Sequence, residues 1–360
     1  MKDKLLPDRA VISLLDWYQK NRRDLPWRRT KDPYCIWVSE IMLQQTRVEA
    51  VKPYYKRFMD ALPDVRVLAE VSEEKLLKLW EGLGYYSRAR NLQKAAKTVM
   101  GQYGGELPKA YSELRKLSGI GDYTAGAIAS IAFDERVPAI DGNVLRVLSR
   151  VTGSYEDIML PQTKKRWQEA LKPSIPTRAG DFTQALIELG ATVCVPNGEA
   201  RCKDCPLSAF CVAHQRDLVD ELPVRAAKKA RRIEPKTVFL ITDENRSALH
   251  RRPNKGLLAG LYELPNVEGW LDESAATAYL RSIGFDPLRL TRIEDAKHIF
   301  THLEWHMIAY TVRISPDFDG VDERHGYFLI DHKDLQENYA VPSAFSAYRK
   351  YLYEEKYIDR

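Results

Sequence analysis

The sequence lacks any apolar run long enough to cross a membrane. Its longest apolar stretches, such as residues 127–133, fall well short of the ~18 residues that a spanning helix needs. Residues 2–4 are all charged, and no apolar signal core follows them. Internal repeats are also missing, and 44% hydrophobic with 29% charged residues excludes a disordered or fibrous chain. We therefore expect a soluble, cytoplasmic, globular protein with no membrane partner.

Cysteine is scarce and unevenly placed. Cys35 stands alone, whereas Cys194, Cys202, Cys205 and Cys211 follow one another with seven, two and five intervening residues. In a cytosolic chain, clustered cysteines more often bind metal than form disulfides. Zinc sites usually pair two Cys-x-x-Cys segments, and this loop has one, so the spacing favours an iron–sulfur cluster. Zinc remains an alternative, and four buried thiols fit poorly because the loop is polar.

Charge is also uneven along the chain. Residues 1–235 hold 39 Lys and Arg against 30 Asp and Glu, whereas residues 236–360 hold 16 against 20. The first part therefore carries +9 and the second −4. A basic segment suits a polyanion such as a nucleic acid, although an ordinary solvated surface would give the same balance.

The first 220 residues show no strand-like alternation. Apolar residues recur there at helical spacing, as in 11–18, 38–42 and 76–80, and Gly and Pro separate the runs. This pattern predicts an all-α region. A charged run at 225–232 then indicates a linker.

After residue 236 the pattern changes to that of a smaller, mixed α/β domain. Apolar residues alternate with polar ones over 299–307, which predicts one strand there. Residues 272–283 have the pattern of a single amphipathic helix. A length of 360 residues is consistent with two or three domains.

Two short motifs indicate a site for chemistry. Gly119 and Gly121 stand two apart just before a helix of small residues, where exposed amides can bind a phosphate. About twenty residues on, Asp141 follows an apolar stretch and can cap a helix that begins at Asn143. Each feature alone is also an ordinary turn or an ordinary cap.

Together, the glycine hairpin, Asp141 and the four-cysteine loop resemble the helix-hairpin-helix DNA glycosylases of the endonuclease III superfamily. The loop has seven residues in its first spacing where the family usually has six. The resemblance implies an all-α helix-hairpin-helix glycosylase domain with a 4Fe-4S loop, plus a C-terminal α/β Nudix-like domain. It predicts a catalytic region at 1–220, a linker at 221–235 and a Nudix-like mispair-recognition domain at 236–360. Within the catalytic region, a six-helix module spans about 28–135, and the N-terminal helix joins a cluster module at about 136–220.

Tyr123 separates two subfamilies. Endonuclease III-like enzymes carry a lysine at this position, which attacks the sugar and leads to strand cleavage. No lysine lies between Lys116 and Asp141 here. Residues 25–28, 37–46 and 82–88 instead resemble the motifs of adenine glycosylases of the MutY type. An oxidised-pyrimidine glycosylase with lyase activity is therefore the first alternative.

The resemblance assigns roles to individual residues. It implies that Glu40, which the sequence predicts near the start of a helix, protonates the departing adenine, and that Asp141 stabilises the cationic sugar. It further implies supporting contacts from Tyr123 and Asn143, an adenine pocket lined by Trp27, Arg28 and Gln184, duplex-opening side chains Gln45 and Tyr85, and phosphate contacts at Gly119 and Gly121. The four clustered cysteines would hold the 4Fe-4S cluster.

The tail resembles a Nudix domain without its chemistry. The candidate helix at 272–281 lacks the acidic cluster that a working Nudix site uses for magnesium. Phe300, Thr301 and His302 resemble a Phe-Ser-His loop of the family, which probes the damaged guanine opposite the adenine. Thr301 replaces the serine and keeps its hydroxyl. His298, His302 and His306 suggest a metal site, but on one strand each neighbouring pair would lie roughly 13 Å apart, too far to share an ion.

We therefore expect a monofunctional glycosylase that excises adenine opposite 8-oxoguanine or guanine in double-stranded chromosomal DNA and acts as a monomer. Two further alternatives remain. A DNA-binding protein without activity is disfavoured because Glu40 and Asp141 both occupy catalytic positions of the family. A nucleotide hydrolase is disfavoured by the missing acidic cluster.

Overall fold

A computed structural model describes residues 4–226, 230–318 and 326–353. The chain divides into two units. The helical unit holds the described residues up to Glu70 and those from Arg90 to the gap at 227–229. The sheet unit holds Val71–Ala89 together with the described residues after that gap. The predicted division differs in two ways, because residues 71–89 group with the tail and because a strand begins at Arg232, inside the predicted linker.

The helical unit is all-α over its described residues, as the apolar spacing predicts. The helices up to the gap are α1 Asp8–Asn21, α2 Pro33–Leu43, α3 Val48–Ala61, α4 Val65–Glu70, α5 Glu73–Trp80 (which belongs to the sheet unit), α6 Ser87–Gln102 (which starts in the sheet unit), α7 Tyr111–Leu114, α8 Asp122–Phe133, α9 Gly142–Thr152, α10 Pro161–Leu171, α11 Ala179–Thr192 and α12 Val212–Gln215.

One core of this unit joins α1, α9 and α11. Leu14, Val144, Leu148, Phe182 and Leu186 belong to it and are at most 1% exposed. Burying a side chain of this size contributes about 1.5–3 kcal/mol, so this core fixes the three helices against one another. The fixed helices hold the start of α9 and the middle of α11 at one cleft.

The sheet unit is built on a mixed sheet. Its strands are β1 Arg232–Thr242, β2 Arg246–Arg251, β3 Tyr262–Glu263, β4 Asn266–Glu268, β5 Arg289–Ile299, β6 Leu303–Arg313 and β7 Tyr327–Asp331. The order is β3-β2-β1-β6-β5, with β4 on β1 and β7 on β2. The strands β1 and β6 run parallel and pair along their whole length, and the other pairs are antiparallel.

The single strand predicted over 299–307 is wrong. β5 ends at Ile299 and β6 begins at Leu303, so residues 300–302 form the turn of a hairpin. The Phe300 N–H donates to the Leu303 carbonyl at 2.9 Å and closes this turn. Ile299 and Leu303 are both apolar and an even number of residues apart, so the alternation continues across the turn and hides it.

The predicted helix of the tail is confirmed as α13 Glu273–Ser282. Its cap is Asp272, whose Oδ1 accepts the Ala275 N–H at 2.8 Å. The remaining helices of this unit are α14 His332–Asn338 and α15 Lys350–Tyr353. Over the described residues, no helix is both long enough and apolar enough to span a membrane.

Candidate active site

An open cleft of about 920 Å³ in the helical unit collects most of the residues singled out from the sequence. This volume suits a small organic group such as a nucleotide. The lining includes Trp27, Arg28, Glu40, Gln45, Gly119, Gly121, Tyr123, Asp141, Asn143 and Gln184. These residues are far apart in sequence, and the packing of α2, α8, α9 and α11 brings them together.

Glu40 lies in the last turn of α2, and the prediction that it sits near a helix start is wrong. The helix begins earlier because Asp32 caps it, accepting the Tyr34 N–H at 2.8 Å, and because Pro33 suits the first helical position. The negative end of the helix dipole lies at the carboxyl terminus, where it disfavours an ionised carboxylate.

The surroundings of Glu40 also favour its neutral form. Its residue is 7% exposed, and burial raises the pKa of the carboxyl to about 7, with Asp141 acting in the same direction. A hydrogen bond from Tyr123 and the charge of Arg28 act to lower that pKa. Among the described residues, Glu40 Oε2 has no hydrogen-bond partner. Glu40 can therefore hold a transferable proton near neutral pH.

Asp141 caps α9, which begins at Gly142, one residue earlier than predicted. Its Oδ1 accepts the Val144 N–H at 2.8 Å and its Oδ2 accepts Asn143 Nδ2 at 2.7 Å. Burial raises the pKa of Asp141, and these two donors oppose that shift. Both carboxylate oxygens thus have a donor that stabilises negative charge.

Tyr123 lies in the first turn of α8, near both acidic groups. Burial raises its pKa well above the usual value, and the nearby charges of Glu40 and Asp141 act in the same direction. The phenol therefore stays protonated and serves as a hydrogen-bond donor to Glu40.

Trp27 and Arg28 lie on a short 3-10 turn at Pro26–Arg28. Trp27 is buried and meets Tyr55 edge to face, with ring centroids 5.3 Å apart. Arg28 Nη2 donates to Glu188 Oε2 at 2.8 Å. The sequence reasoning missed Glu188, although its position as a lone acidic residue in the apolar run 185–189 is a usable signal.

Two of the glutamines that line the cleft, Gln45 and Gln184, differ in backbone conformation. Gln45 follows α2 with a φ of +58°, a conformation that L residues rarely adopt. Such local strain is often found at functional sites. Gln184 lies inside α11, where its Nε2 donates to the Gly180 carbonyl at 3.4 Å.

The hairpin before α8 requires glycine at one position. Gly119 has a φ of +76°, and a Cβ there would lie 2.7 Å from Asn91 Cβ. The Ser118 hydroxyl donates to Asn91 Oδ1 at 3.0 Å and holds the hairpin against α6. Gly121 caps the helix in open space, so the amides at the start of α8 are accessible to an anion.

The four clustered cysteines line one small cavity beside α9 and α11. Arg150 Nη1 donates to Cys194 Sγ at 3.3 Å. Burial raises the pKa of the Cys205 thiol to about 12, and the Leu207 N–H acts against that rise. Within the described residues, no three His, Cys, Asp or Glu side chains are set to hold one metal ion. Cys35 lies on α2, away from this cavity.

In the sheet unit, Tyr85 and Thr301 are hydrogen-bonded through their hydroxyls at 2.8 Å. Tyr85 has a φ of +47° and is 46% exposed, between Gly84 and the start of α6. Thr301 is the middle residue of the β5–β6 turn. Two predicted site residues 216 positions apart are therefore in direct contact.

The flanking turn residues differ in exposure. Phe300 packs edge to face on Trp305, with centroids 4.9 Å apart, whereas His302 is exposed. The three histidines do not lie on one strand as predicted, because His298 is on β5, His302 is in the turn and His306 is on β6. His298 pairs with Trp305 and shares its face, so His306, the next residue along, points to the opposite face.

Comparison with known proteins agrees with the fold. Residues 38–176 match the family model for the HhH-GPD superfamily of base excision DNA repair proteins, and residues 237–351 match a NUDIX domain. The fold and these matches define a base-excision-repair DNA N-glycosylase with a helix-hairpin-helix domain and a Nudix-like tail.

Individual relatives indicate which glycosylase family within this superfamily the chain resembles. An adenine DNA glycosylase of Rattus norvegicus is 36% identical, over 84% of this chain and 70% of its own length. One of Schizosaccharomyces pombe is 32% identical, over 91% of this chain and 86% of its own length. The solved structure of a thermostable thymine-DNA glycosylase aligns with a TM-score of 0.53 and 30% identity, over 57% of this chain and 95% of that one. The chain belongs to the adenine DNA glycosylase family, which confirms the resemblance read from its motifs.

Proposed function

We propose that this enzyme releases adenine mispaired with 8-oxoguanine from double-stranded DNA and leaves an abasic site. The observation that carries the proposal is the pair of buried carboxyl groups, Glu40 and Asp141, on the wall of one cleft. Each carboxylate oxygen of Asp141 accepts a hydrogen bond, which favours the charged form. Among the described residues, Glu40 Oε2 accepts none, which favours the protonated form.

Breaking the bond between adenine and its sugar poses two problems. The leaving base must gain a proton, and the sugar must tolerate positive charge. Glycoside hydrolysis solves the same pair of problems with one protonated and one ionised carboxyl group. Glu40 and Asp141 supply such a pair.

Glu40 acts as the general acid. Its pKa of about 7 leaves it substantially protonated at neutral pH, and its Oε2 has no competing partner among the described residues. The proton passes from the Glu40 carboxyl to a ring nitrogen of adenine as the bond to the sugar breaks. Tyr123 donates to the carboxylate that remains. A water molecule then adds to the sugar carbon that has lost the base and gives a proton to the Glu40 carboxylate, so the abasic site forms and Glu40 is protonated again.

Asp141 acts as the anion beside the sugar. The Val144 N–H and the Asn143 amide donate to its two oxygens and support the charged form. A fixed carboxylate in a largely buried site stabilises a developing cation more strongly than water does.

Trp27, Arg28 and Gln184 recognise the extruded base. The Trp27 ring supplies an apolar wall, and Arg28 and Gln184 supply hydrogen-bonding groups in the same cleft. Gln45 and Tyr85 fill the space that the base leaves in the duplex. Both have positive φ angles, which supports a specialised role for each.

The β5–β6 turn reads the opposing base. The side chains of Thr301 and His302 are exposed polar groups that can hydrogen-bond 8-oxoguanine. Phe300 is anchored on Trp305 and fixes the turn. The start of α8 at Gly121 binds a DNA phosphate.

The enzyme stops at base removal because Tyr123 occupies the place of a nucleophilic lysine. Among the described residues that line the cleft, the one lysine is Lys164 on α10. It lies on α10 and not in the hairpin helix α8, where Tyr123 stands in place of the nucleophilic lysine.

Cys194, Cys202, Cys205 and Cys211 hold a 4Fe-4S cluster. Four thiols around one apolar cavity fit a group that thiolates bind, and backbone N–H groups near Cys205 and Cys211 favour the thiolate form. Zinc sites usually pair two Cys-x-x-Cys segments, and this loop has one. When bound, the cluster would crosslink the loop through its four thiolates.

The family resemblance also suggests the oligomeric state and the cellular compartment that we propose. The enzyme acts as a monomer on chromosomal DNA in the cytoplasm. Size-exclusion chromatography coupled to light scattering checks the monomer.

The test is to identify the base that is released. Duplexes carrying adenine opposite 8-oxoguanine, guanine or thymine are incubated with excess enzyme, and free bases are separated by liquid chromatography. Free adenine from the 8-oxoguanine duplex, and much less from the thymine duplex, supports the proposal. Equal release from all three contradicts the mispair preference.

A further inference from the structure

Glu188 is a fully buried carboxylate beside the cleft that the proposed reaction does not use. It is 0% exposed and lies on α11, four residues after Gln184. An uncompensated charge at a buried site is strongly destabilising, so the ionised Glu188 requires positively charged partners.

Two arginines neutralise this carboxylate. Arg23 donates to it three times, from its backbone N and Nε to Oε1 at 2.9 and 2.8 Å and from Nη2 to Oε2 at 2.8 Å. Arg28 Nη2 donates to Oε2 at 2.8 Å. Burial acts to raise the pKa of Glu188, but the hydrogen bonds from Arg23 and Arg28 outweigh it and lower the pKa to about 2.

Arg28 has two further contacts besides its hydrogen bond to Glu188. Its Nη1 donates to the Arg23 carbonyl at 3.2 Å, and its guanidinium lies 5.7 Å from the ring of Tyr18. Both Arg23 and Arg28 line the cleft, whereas Glu188 is not among its lining residues. Glu188 therefore acts on the cleft through Arg28.

We infer that Glu188 is a positioning residue that fixes the direction of Arg28 and balances its charge at the wall of the base pocket. This inference rests on the proposed function, in which Arg28 contacts the extruded base. The guanidinium has five N–H donors, and Glu188 fixes the plane in which the remaining ones point.

The charge of Glu188 also affects the protonation of Glu40, because Arg28 lies near both carboxyl groups. The groups that face Glu40 are Tyr123 from α8, Asp141 from the start of α9 and Arg28 from the 3-10 turn. Those that face Glu188 are Arg23, Arg28 and Tyr18. Arg28 favours the ionised form of Glu40, so a carboxylate that offsets Arg28 helps Glu40 to keep its proton.

The experiment measures single-turnover adenine release from the 8-oxoguanine duplex between pH 5 and 9. In Glu188→Gln, the rate at low pH should fall roughly tenfold because one charge-assisted hydrogen bond to Arg28 weakens. The alkaline decline should move to lower pH by roughly 0.5–1 unit, since the charge of Arg28 is no longer offset.

Two further variants separate charge from orientation. Adding Arg23→Gln to Glu188→Gln restores the net charge, so the alkaline decline should return toward its original pH while the low-pH rate stays reduced. Glu188→Asp keeps the charge and should leave the decline in place. Glu188→Asp remains informative if Glu188→Gln fails to fold.

The control is Glu263→Gln in the sheet unit, which removes another buried carboxylate bound to an arginine, Arg252, at 2.6 Å. Its profile should match that of the unaltered enzyme. An unmoved decline in folded Glu188→Gln overturns the inference alone. If the unaltered enzyme releases no adenine at any pH, the proposed function falls and takes the inference with it.

Discussion

The hydroxyls of Tyr85 and Thr301 lie 2.8 Å apart, although 216 positions separate the two residues in the chain. Tyr85 follows α5, and α5 is tied to the tail by two polar contacts. Lys78 Nζ donates to the Tyr339 carbonyl at 2.9 Å, and the Val341 N–H donates to Glu81 Oε1 at 3.1 Å. The side chain proposed to open the duplex and the turn proposed to read the lesion therefore form one hydrogen-bonded unit.

This contact predicts energetic coupling between the two residues. Tyr85→Phe and Thr301→Val should each reduce the rate ratio between the 8-oxoguanine and guanine duplexes. The double variant should lose no more than either single one, with a coupling of about 0.5–1.5 kcal/mol. Tyr155→Phe, which removes an exposed hydroxyl bonded to Glu221, should leave the ratio unchanged. Additive losses would mean that the contact has no role in recognition.

The exposed side chain of His302 should contribute to the same preference. His302→Ala should lower the 8-oxoguanine to guanine rate ratio because one hydrogen-bonding group of the turn is lost. His306→Ala is the control, since His306 lies on β6 and faces away from Trp305. A ratio that stays the same in His302→Ala contradicts the role of this turn.

Removing either acidic group of the cleft should stop base release without preventing DNA binding. Glu40→Gln cannot supply a proton, and the single-turnover rate should fall roughly 100- to 10,000-fold. Asp141→Asn removes the anion beside the sugar and should cost about as much as a lost oxyanion-hole donor, roughly 100- to 1,000-fold. Mispair binding, measured by fluorescence anisotropy, should change little. Near-normal rates in both variants would show that the acidic groups are misassigned.

Glu40 should also make the folded state sensitive to pH. Its pKa is about 7 in the folded protein against an ordinary value of 4.5, so folding favours the protonated form. Its unfavourable contribution is absent below pH 4.5 and grows until the pH passes 7, reaching about 3 kcal/mol. Glu40→Gln should therefore raise the free energy of unfolding at pH 8 but not at pH 4.5. Urea titrations at the two values test this, and equal effects at both would contradict the raised pKa.

The cysteine loop offers a matched pair of variants. The unaltered protein should contain about four irons per chain and absorb visible light. Cys202→Ser should reduce both and lower the melting temperature, because one cluster ligand is lost. Cys35→Ser, on α2, should leave the iron content unchanged. Stoichiometric zinc in place of iron would overturn the cluster assignment.

The sequence predicts the contents of the cleft because its motifs carry chemical constraints. Gly119 is needed where a Cβ would collide with Asn91, and Asp141 is needed where α9 begins. Such local requirements leave a readable trace in the sequence.

Features that depend on distant contacts leave no comparable trace. Glu188 belongs to no motif, and its role becomes visible only when Arg23 and Arg28 are seen to converge on it. The grouping of residues 71–89 with the tail likewise depends on pairs such as Glu81 and Val341, which lie 260 positions apart. The sequence analysis placed Glu40 too close to the start of α2. The helix begins after its Asp32 cap, which lies before the motif at 37–46 that carries the resemblance.

One measurement tests the central claim most directly. Labelled duplexes carrying adenine opposite 8-oxoguanine, adenine opposite guanine, or thymine glycol opposite adenine are treated with excess enzyme and then analysed with and without alkali. Strand cleavage at adenine that appears only after alkali is the predicted result, because base removal leaves an intact abasic strand. Cleavage at thymine glycol without alkali would contradict the account and would identify an oxidised-pyrimidine glycosylase with lyase activity.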